Sequence, residues 1–207
     1  MRGLPIPGVF ATRWHKKFQD FAADRRGIAA VEFALIAMPF FFLIFGLLEV
    51  CVIFIMSSIL EHAANEASRQ IRTGQLQTDS TFADADARAE EFRADLCKEL
   101  YGLMNCDTNA DPDKKSDRRL KIDVQKFDTF GGTGSNALTY DSDDRLDNTG
   151  FGFAAGAQNE IVVIRVFYEW DLMVPVLSAP LKNPNLAGNQ ILLQTTVAFR
   201  NEPFGNS

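Results

Sequence analysis

The chain has 207 residues and a formal net charge of −6, which is enough for one modest domain and a tether. Residues 1–27 carry six basic and two acidic side chains, a net of +4, so residues 28–207 carry −10. Such an acidic body lacks the basic footprint that nucleic-acid phosphates require, which argues against a nucleic-acid partner. A basic segment and an acidic body separated by an apolar run indicate two compartments.

The apolar run begins directly after the basic segment. Between Ile28 and Leu60 the only charged residues are Glu32 and Glu49, and sixteen Leu, Ile, Val or Phe residues lie over 33–55. At about −0.3 to −0.6 kcal/mol each, these residues outweigh one off-centre glutamate at about +3 kcal/mol. The pattern predicts a membrane-spanning helix over about residues 33–56. Because Arg and Lys crowd its N-terminal side, that side is expected to face the cytoplasm.

The helix is expected to continue beyond the membrane. Small or apolar residues recur at helical spacing through Ile59, Ala63, Ala67 and Ile71, and Gly74 offers a C-terminal stop. A second helix is predicted over 81–104, because one apolar stripe runs along it. Its members are Phe82, Ala85, Ala89, Phe92, Leu96, Leu100 and Leu103.

The cysteines fit an exterior domain. Cys51 lies within the span as a small packing residue, whereas Cys97 and Cys106 follow it in "CKELYGLMNC". In a periplasm-like compartment this pair is expected to form a disulfide, which contributes about 2.5–3 kcal/mol in the chain-entropy model. Zinc is the rival interpretation, but two cysteines without a nearby histidine fall short of four ligands.

Three strand-like runs follow, and they alternate or are rich in β-branched residues: "LKIDVQKF" (120–127), "EIVVIRVFYEW" (160–170) and "QILLQTTVAF" (190–199). The Gly/Asp/Asn-rich stretch 128–159 is interpreted as an insertion with one hairpin at most. Helices followed by strands predict an α+β domain with a small antiparallel sheet.

The junction "RRGIAAVEF" (25–33) carries the most information. Taken alone, Glu32 is explained as an acid that complements the helix dipole near the headgroups. The combination of a charged leader ending in Gly27, an apolar run from Ile28 and a glutamate at the fifth position is more specific. It resembles the cleavage site and N-terminal helix of type IV pilin-like proteins. With "LEHAANEASRQIRTG" (60–74), it resembles the TadE-like minor pseudopilins of the tight-adherence (Tad) pilus, and "VAFRNEPF" (197–204) is similar to their C-terminal end.

The resemblance implies a type IV pilin-like fold and a cut by a prepilin peptidase between Gly27 and Ile28. The leader 1–27 would be removed, and the new ammonium of Ile28 would lie one helical turn from Glu32. Glu32 would then direct assembly, and Phe33 matches the aromatic residue that often follows it. The remaining segments would be the long helix 28–74 and a periplasmic head 75–207 with a variable region 107–159.

Glu49 is the second acid in the apolar run. It is interpreted either as a polar contact with another helix of the pilus machinery or as an interfacial residue that reaches the headgroups. The residues alone do not decide between the two.

Other motifs are weak. "DTNADPDKKSDR" (107–118) places Pro112 and Arg118 where a calcium loop needs Gly and Glu. The acidic run 141–147 is more simply a solvated turn than a loose calcium site, and "FGGTGSN" (130–136) lacks the ending of a P-loop. His15 and His62 do not complete a Ser-His-Asp set, so no enzyme, metal or cofactor is predicted.

The sequence therefore predicts a single-pass protein of the bacterial inner membrane that takes part in pilus assembly. Its expected partners are membrane lipid, the prepilin peptidase, the inner-membrane assembly platform, and the major and other minor pilins. The alternative is an uncleaved, signal-anchored periplasmic binding or sensor domain, which explains the topology but not the Gly27–Glu32 junction. A periplasmic enzyme on an anchor would need a converging polar pocket.

Overall fold

The computed structural model describes residues 27–82, 84–106, 119–132, 138–174 and 180–204. The predicted leader, apart from Gly27, and the calcium-loop-like 107–118 lie outside these ranges. In chain order the elements are α1 (Ile28–Arg72), α2 (Gln75–Thr78), α3 (Ala85–Glu99), β1 (Leu120–Phe127), a 3-10 turn (Phe130–Gly132), β2 (Ile161–Asp171) and β3 (Gln190–Arg200). A long N-terminal helix, further helices and a three-stranded antiparallel sheet confirm the predicted α+β class.

The chain divides into two compact units, residues 1–45 and 46–207. In the first unit the described residues are almost entirely helical, and their apolar side chains are largely exposed. The helix runs through Pro39 without ending there. Exposed apolar side chains along a helix are expected where lipid is the solvent.

The core of the second unit forms around the later part of α1. The buried positions Leu60, Ala63, Ala64, Ala67 and Ile71 recur every three or four residues, so they share one face of the helix. Most of them are alanines, which let neighbouring backbones come close. Residues of α3 and of all three strands complete this core, and the fully buried ones are Phe92, Leu96, Leu120, Val124, Val162, Ile164 and Val166.

Helix α3 is shorter than the predicted 81–104. It begins at Ala85 because Asp84 caps it, accepting a hydrogen bond from Ala87 N at 2.8 Å. It ends at Glu99, and Tyr101 and Gly102 then adopt positive φ angles, which no helix continues through. The placement of Ala85 and Leu103 on the buried stripe was wrong, because both side chains are exposed. Ala85 is the first residue of the helix, and Leu103 lies beyond the left-handed turn.

The predicted disulfide is present. Cys97 on α3 is joined to Cys106, and their Cα atoms are 6.0 Å apart. The bond spans the left-handed turn at 101–102. Just before Cys106 the chain contacts the sheet, because Asn105 N donates to the hydroxyl of Tyr168 at 2.9 Å.

The sheet has the order β1-β2-β3, with both pairs antiparallel. Residues of β1 such as Ile122 and Val124 lie opposite Val166 and Ile164 of β2. These positions face the helices, since alternate residues of a strand point to the same side. The strands match the predicted ranges to within one residue at each end.

The other face of the sheet carries buried ion pairs. Lys121 Nζ lies 2.8 Å from Glu169 Oε1 and also donates to the carbonyl of Leu146, while Asp123 accepts from Arg165 and from Gly152 N. Residues 138–156, the described end of the predicted insertion, thus lie against the sheet and are held by charge-assisted hydrogen bonds. The predicted hairpin is a short one, with a bridge between Tyr140 and Leu146.

The segment after β3 returns to the end of α1. Glu202 N donates to the carbonyl of Arg72 at 2.8 Å, and Phe204 covers Gly74. Gly74 has φ +77°, and a Cβ placed there would lie 2.1 Å from Cγ of Phe204. Only glycine therefore satisfies both the turn and the packing.

We expect Gly74→Ala to destabilise the second unit by more than Gly102→Ala. Both glycines have positive φ, but a Cβ at Gly102 meets nothing within 4 Å. Backbone strain of about 1 kcal/mol is common to both variants, and overpacking against Phe204 adds about 1–3 kcal/mol to Gly74→Ala alone. Urea titration read by proteolysis in detergent measures the difference. Equal losses of stability would mean that Phe204 moves aside without cost.

Candidate functional site

The predicted cleavage junction coincides with the start of α1. Gly27 precedes the helix and Ile28 is its first residue. A Cβ added at Gly27 would meet no heavy atom within 4 Å, and Gly27 does not have a positive φ. Neither backbone conformation nor packing therefore requires glycine here. A requirement for glycine would have to come from a molecule that acts on the junction.

Glu32 is exposed and lies four residues after Ile28 on α1. It is the fifth helical residue, so it lies outside the first turn, where the helix dipole favours a carboxylate most. Within the described part of the chain it has no hydrogen bond or ion pair. A dipole-capping role consequently explains Glu32 poorly, and its carboxylate is available for an intermolecular contact.

Phe33 and the residues that follow form an apolar surface on all sides of the helix. An 18-residue stretch of α1 is long and apolar enough to cross a membrane, and only 6% of it is buried. A core helix of a soluble domain would bury most of such a stretch. The surface fits a lipid environment, and it equally fits the apolar helices of other chains.

Glu49 lies in the second unit and is 3% exposed. Its carboxylate accepts two backbone hydrogen bonds, from Met173 N to Oε1 at 2.9 Å and from Val174 N to Oε2 at 3.1 Å. Both oxygens are used, and the two donors are consecutive amides of the turn that follows β2. Glu49 therefore joins α1 to this turn, which we call the Glu49 clamp.

The two residues before Met173, Asp171 and Leu172, are also hydrogen-bonded. Leu172 N donates to the carbonyl of Asn189 at 2.9 Å, and Asn189 Nδ2 donates to the carbonyl of Leu172 at 3.2 Å. Partial burial raises the pKa of Asp171, but hydrogen bonds from Gln190 and Arg119 outweigh it and hold that pKa below its ordinary value. The end of β2 is thus a charged, ordered site directly before an apolar turn.

Neither sequence interpretation of Glu49 included this contact. The interpretations were a partner helix or the headgroups, whereas the donors are amides of the same chain more than 120 residues away. Met173 and Val174 were missed entirely because backbone N–H groups carry no sequence signature. The isolated glutamate in an apolar run was the one available signal that a buried partner was needed.

The remaining motifs do not form a metal site among the described residues. In the acidic run 141–147, Asp141 Oδ1 accepts from the N–H groups of Asp143 and Arg145 within a local turn. His62 is exposed on α1, His15 lies outside the described residues, and "FGGTGSN" is described only in part. Among the residues that the structure describes, no three His, Cys, Asp or Glu side chains are grouped to hold a metal ion.

Comparison with known proteins gives one finding. Residues 27–69 match the family model of TadE-like proteins, which is 43 of the 207 residues. The match begins at Gly27, spans Glu32 and Glu49, and ends within the buried stripe of α1. It does not reach "VAFRNEPF". No curated protein and no solved structure matches the chain.

We expect Glu49→Ala to loosen the turn after β2. Two part-buried amides lose their acceptor. A fully buried unsatisfied group costs about 1–3 kcal/mol, and a combined loss of about 1.4 kcal/mol would already raise local opening about ten-fold. Hydrogen exchange of the peptide containing Met173 and Val174 measures this in detergent micelles. Glu61→Ala is the matched control, because Glu61 is exposed on the same helix. Equal exchange in the two variants would contradict the clamp.

Proposed function

We propose that this chain is a minor pilin of a Tad-type pilus, anchored in the bacterial inner membrane by α1 and processed between Gly27 and Ile28. Its role is structural: α1 enters the assembly and the periplasmic head is displayed. The observation that carries this proposal is the position of the junction. The family match and helix α1 begin within one residue of each other, and Glu32, which has no partner among the described residues, follows one turn later.

The cut has a direct electrostatic consequence. Hydrolysis of the Gly27–Ile28 bond removes the basic leader and leaves an ammonium on Ile28. Ile28 and Glu32 are four residues apart, so the new ammonium and the carboxylate lie on the same side of α1, about one turn of 5.4 Å apart along the axis. In a lipid-like or helical packing environment each charge needs an opposite one. Glu32 can accept the ammonium of its own chain or that of a neighbouring subunit.

An intermolecular pair would also set the position of one subunit relative to the next. The apolar surface of α1 discriminates only weakly between axial positions along other apolar helices, because several registers bury similar apolar area. A single buried polar pair has one favourable position, and polar residues in apolar helix interfaces specify register in this way. Glu32 therefore fixes the axial stagger, while Phe33 and its neighbours supply contact area.

Partners and topology follow from the same proposal. The N-terminus faces the cytoplasm, where the prepilin peptidase cuts, and residues 75–207 lie in the periplasm. The inner-membrane assembly platform receives the processed helix, and the major pilin and other minor pilins pack against it. The disulfide between Cys97 and Cys106 suits the oxidising periplasm.

The cut is tested by N-terminal sequencing and intact mass of the protein from its host's membranes. We expect the chain to start at Ile28. Gly27→Ala should keep the leader, because the structure leaves room for the methyl group and only the peptidase is affected. Gly150→Ala adds a methyl in equally open space within the head and should leave processing intact. A wild-type chain that starts at Met1 would instead indicate a signal-anchored domain.

We expect Glu32→Ala to be processed normally but to abolish pilus assembly, because the Ile28 ammonium loses its partner. Electron microscopy and quantification of sheared pili measure assembly, and N-terminal sequencing confirms the cut. Glu61→Ala makes the same chemical change on an exposed part of the same helix and should assemble normally. Unchanged piliation in Glu32→Ala would refute the assembly role of Glu32.

A further inference from the structure

The two sides of α1 indicate different membrane boundaries. On the exposed side, apolar residues continue as far as Ile55 and polar residues begin at Ser58. The exposed apolar residues of this part are Leu47, Leu48, Val50, Phe54 and Ile55. On the opposite side the head already contacts the helix at Glu49. Six residues separate Glu49 from Ile55, about 9 Å along the helix axis.

If the hydrocarbon of the membrane covers the exposed apolar side chains of α1 as far as Ile55, the Glu49 clamp also lies within the hydrocarbon. If hydrocarbon extended only to Leu48, the exposed Phe54 and Ile55 would stand in water with nothing to cover them. If it extends to Ile55, the turn Leu172–Val174 reaches the membrane with Glu49. The second arrangement removes more apolar surface from water.

The turn itself suits an apolar solvent. Met173 is an apolar residue with 65% of its surface exposed. The N–H groups of Leu172, Met173 and Val174 and the carbonyl of Leu172 are all hydrogen-bonded within the chain. A turn in water can leave such groups to solvent, whereas in lipid each unpaired group costs several kcal/mol. Internal pairing of these groups is therefore what insertion demands.

We propose that the Leu172–Val174 turn is inserted into the periplasmic leaflet of the membrane that α1 spans, with Met173 in contact with lipid acyl chains. Glu49 is then an intramembrane acid whose partners are two backbone amides of the same chain. The head docks on the bilayer through this turn, and Asp171 and Arg119 mark the level of the headgroups. The proposal rests on membrane insertion of α1 and not on processing or pilus assembly.

The depth of Met173 is measurable with a nitroxide label. The full chain carrying Cys51→Ser and Met173→Cys is labelled and reconstituted into phosphatidylethanolamine–phosphatidylglycerol vesicles. Collisions with oxygen, which concentrates in lipid, are compared with collisions with a water-soluble nickel chelate. The control is Phe130→Cys in the same background. Phe130 is an apolar residue with 52% of its surface exposed, and it follows β1 at the end of the sheet opposite to Asp171.

We expect the ratio of oxygen to nickel collisions to be several-fold higher for the label at position 173 than for the label at position 130. Equal ratios would overturn the proposal. Protection of position 173 that disappears when the protein is diluted with lipid would also overturn it, because a neighbouring chain and not lipid would then be the cover. If the protein does not float with the vesicles, α1 is not inserted, and both this proposal and the proposed function are overturned. If the protein floats but position 173 is exposed to water, only this proposal is overturned and the proposed function stands.

Discussion

The packing face of α1 is the constraint on which the second unit depends. Leu60, the alanines that follow it and Ile71 form one strip of small and medium side chains, and α3 and the sheet are both packed on it. Interiors are close-packed, so a larger residue at an alanine position would separate these elements. The same helix is apolar on all sides nearer its N-terminus, which suits surroundings of lipid or of other apolar helices.

Much of this architecture could be predicted from periodicity. Alternation placed β1 and β3, and richness in β-branched and aromatic residues placed β2, each to within a residue at either end. The presence of Cys97 and Cys106 in a predicted exterior domain indicated their bond. The ends of α3 could not be predicted as well, because they depend on the Asp84 cap and on the left-handed residues 101–102. Apolar residues continue at helical spacing beyond the Asp84 cap and beyond residues 101–102, so hydrophobic periodicity alone does not show where the helix begins and ends.

Long-range polar contacts were the larger omission. Lys121 and Glu169 read as ordinary surface charges in alternating strands, yet both are buried because the segment around Leu146 covers them. Their burial depends on where a Gly-rich insertion folds back, which no local pattern encodes. The same holds for Glu49, whose anomaly was visible in the sequence although its partners were not.

The two glutamates of the apolar helix represent opposite solutions to one physical problem. A carboxylate in apolar surroundings is expensive unless it is hydrogen-bonded or paired. Glu49 obtains its donors from within the chain, so its cost is met in the isolated molecule. Glu32 has no partner in the described residues, and under the proposed function its partner is the ammonium of Ile28 on its own or a neighbouring chain. Glu49 therefore contributes to the fold of one chain, whereas the proposed role of Glu32 lies in the association of chains.

The return of residues 201–204 to the end of α1 has a consequence for biosynthesis. Phe204 follows Gly74 by 130 residues in the sequence, and chains are made N-terminus first. Helix α1 is therefore complete while β3 and Phe204 are still to be synthesised. Throughout that interval the strip from Leu60 to Ile71 lacks the part of its cover that β3 supplies, and the turn at Gly74 lacks Phe204. The packing of the second unit is therefore completed only when translation is almost finished, and under the proposed function the membrane anchor would hold the uncovered strip apart from other unfolded chains until then.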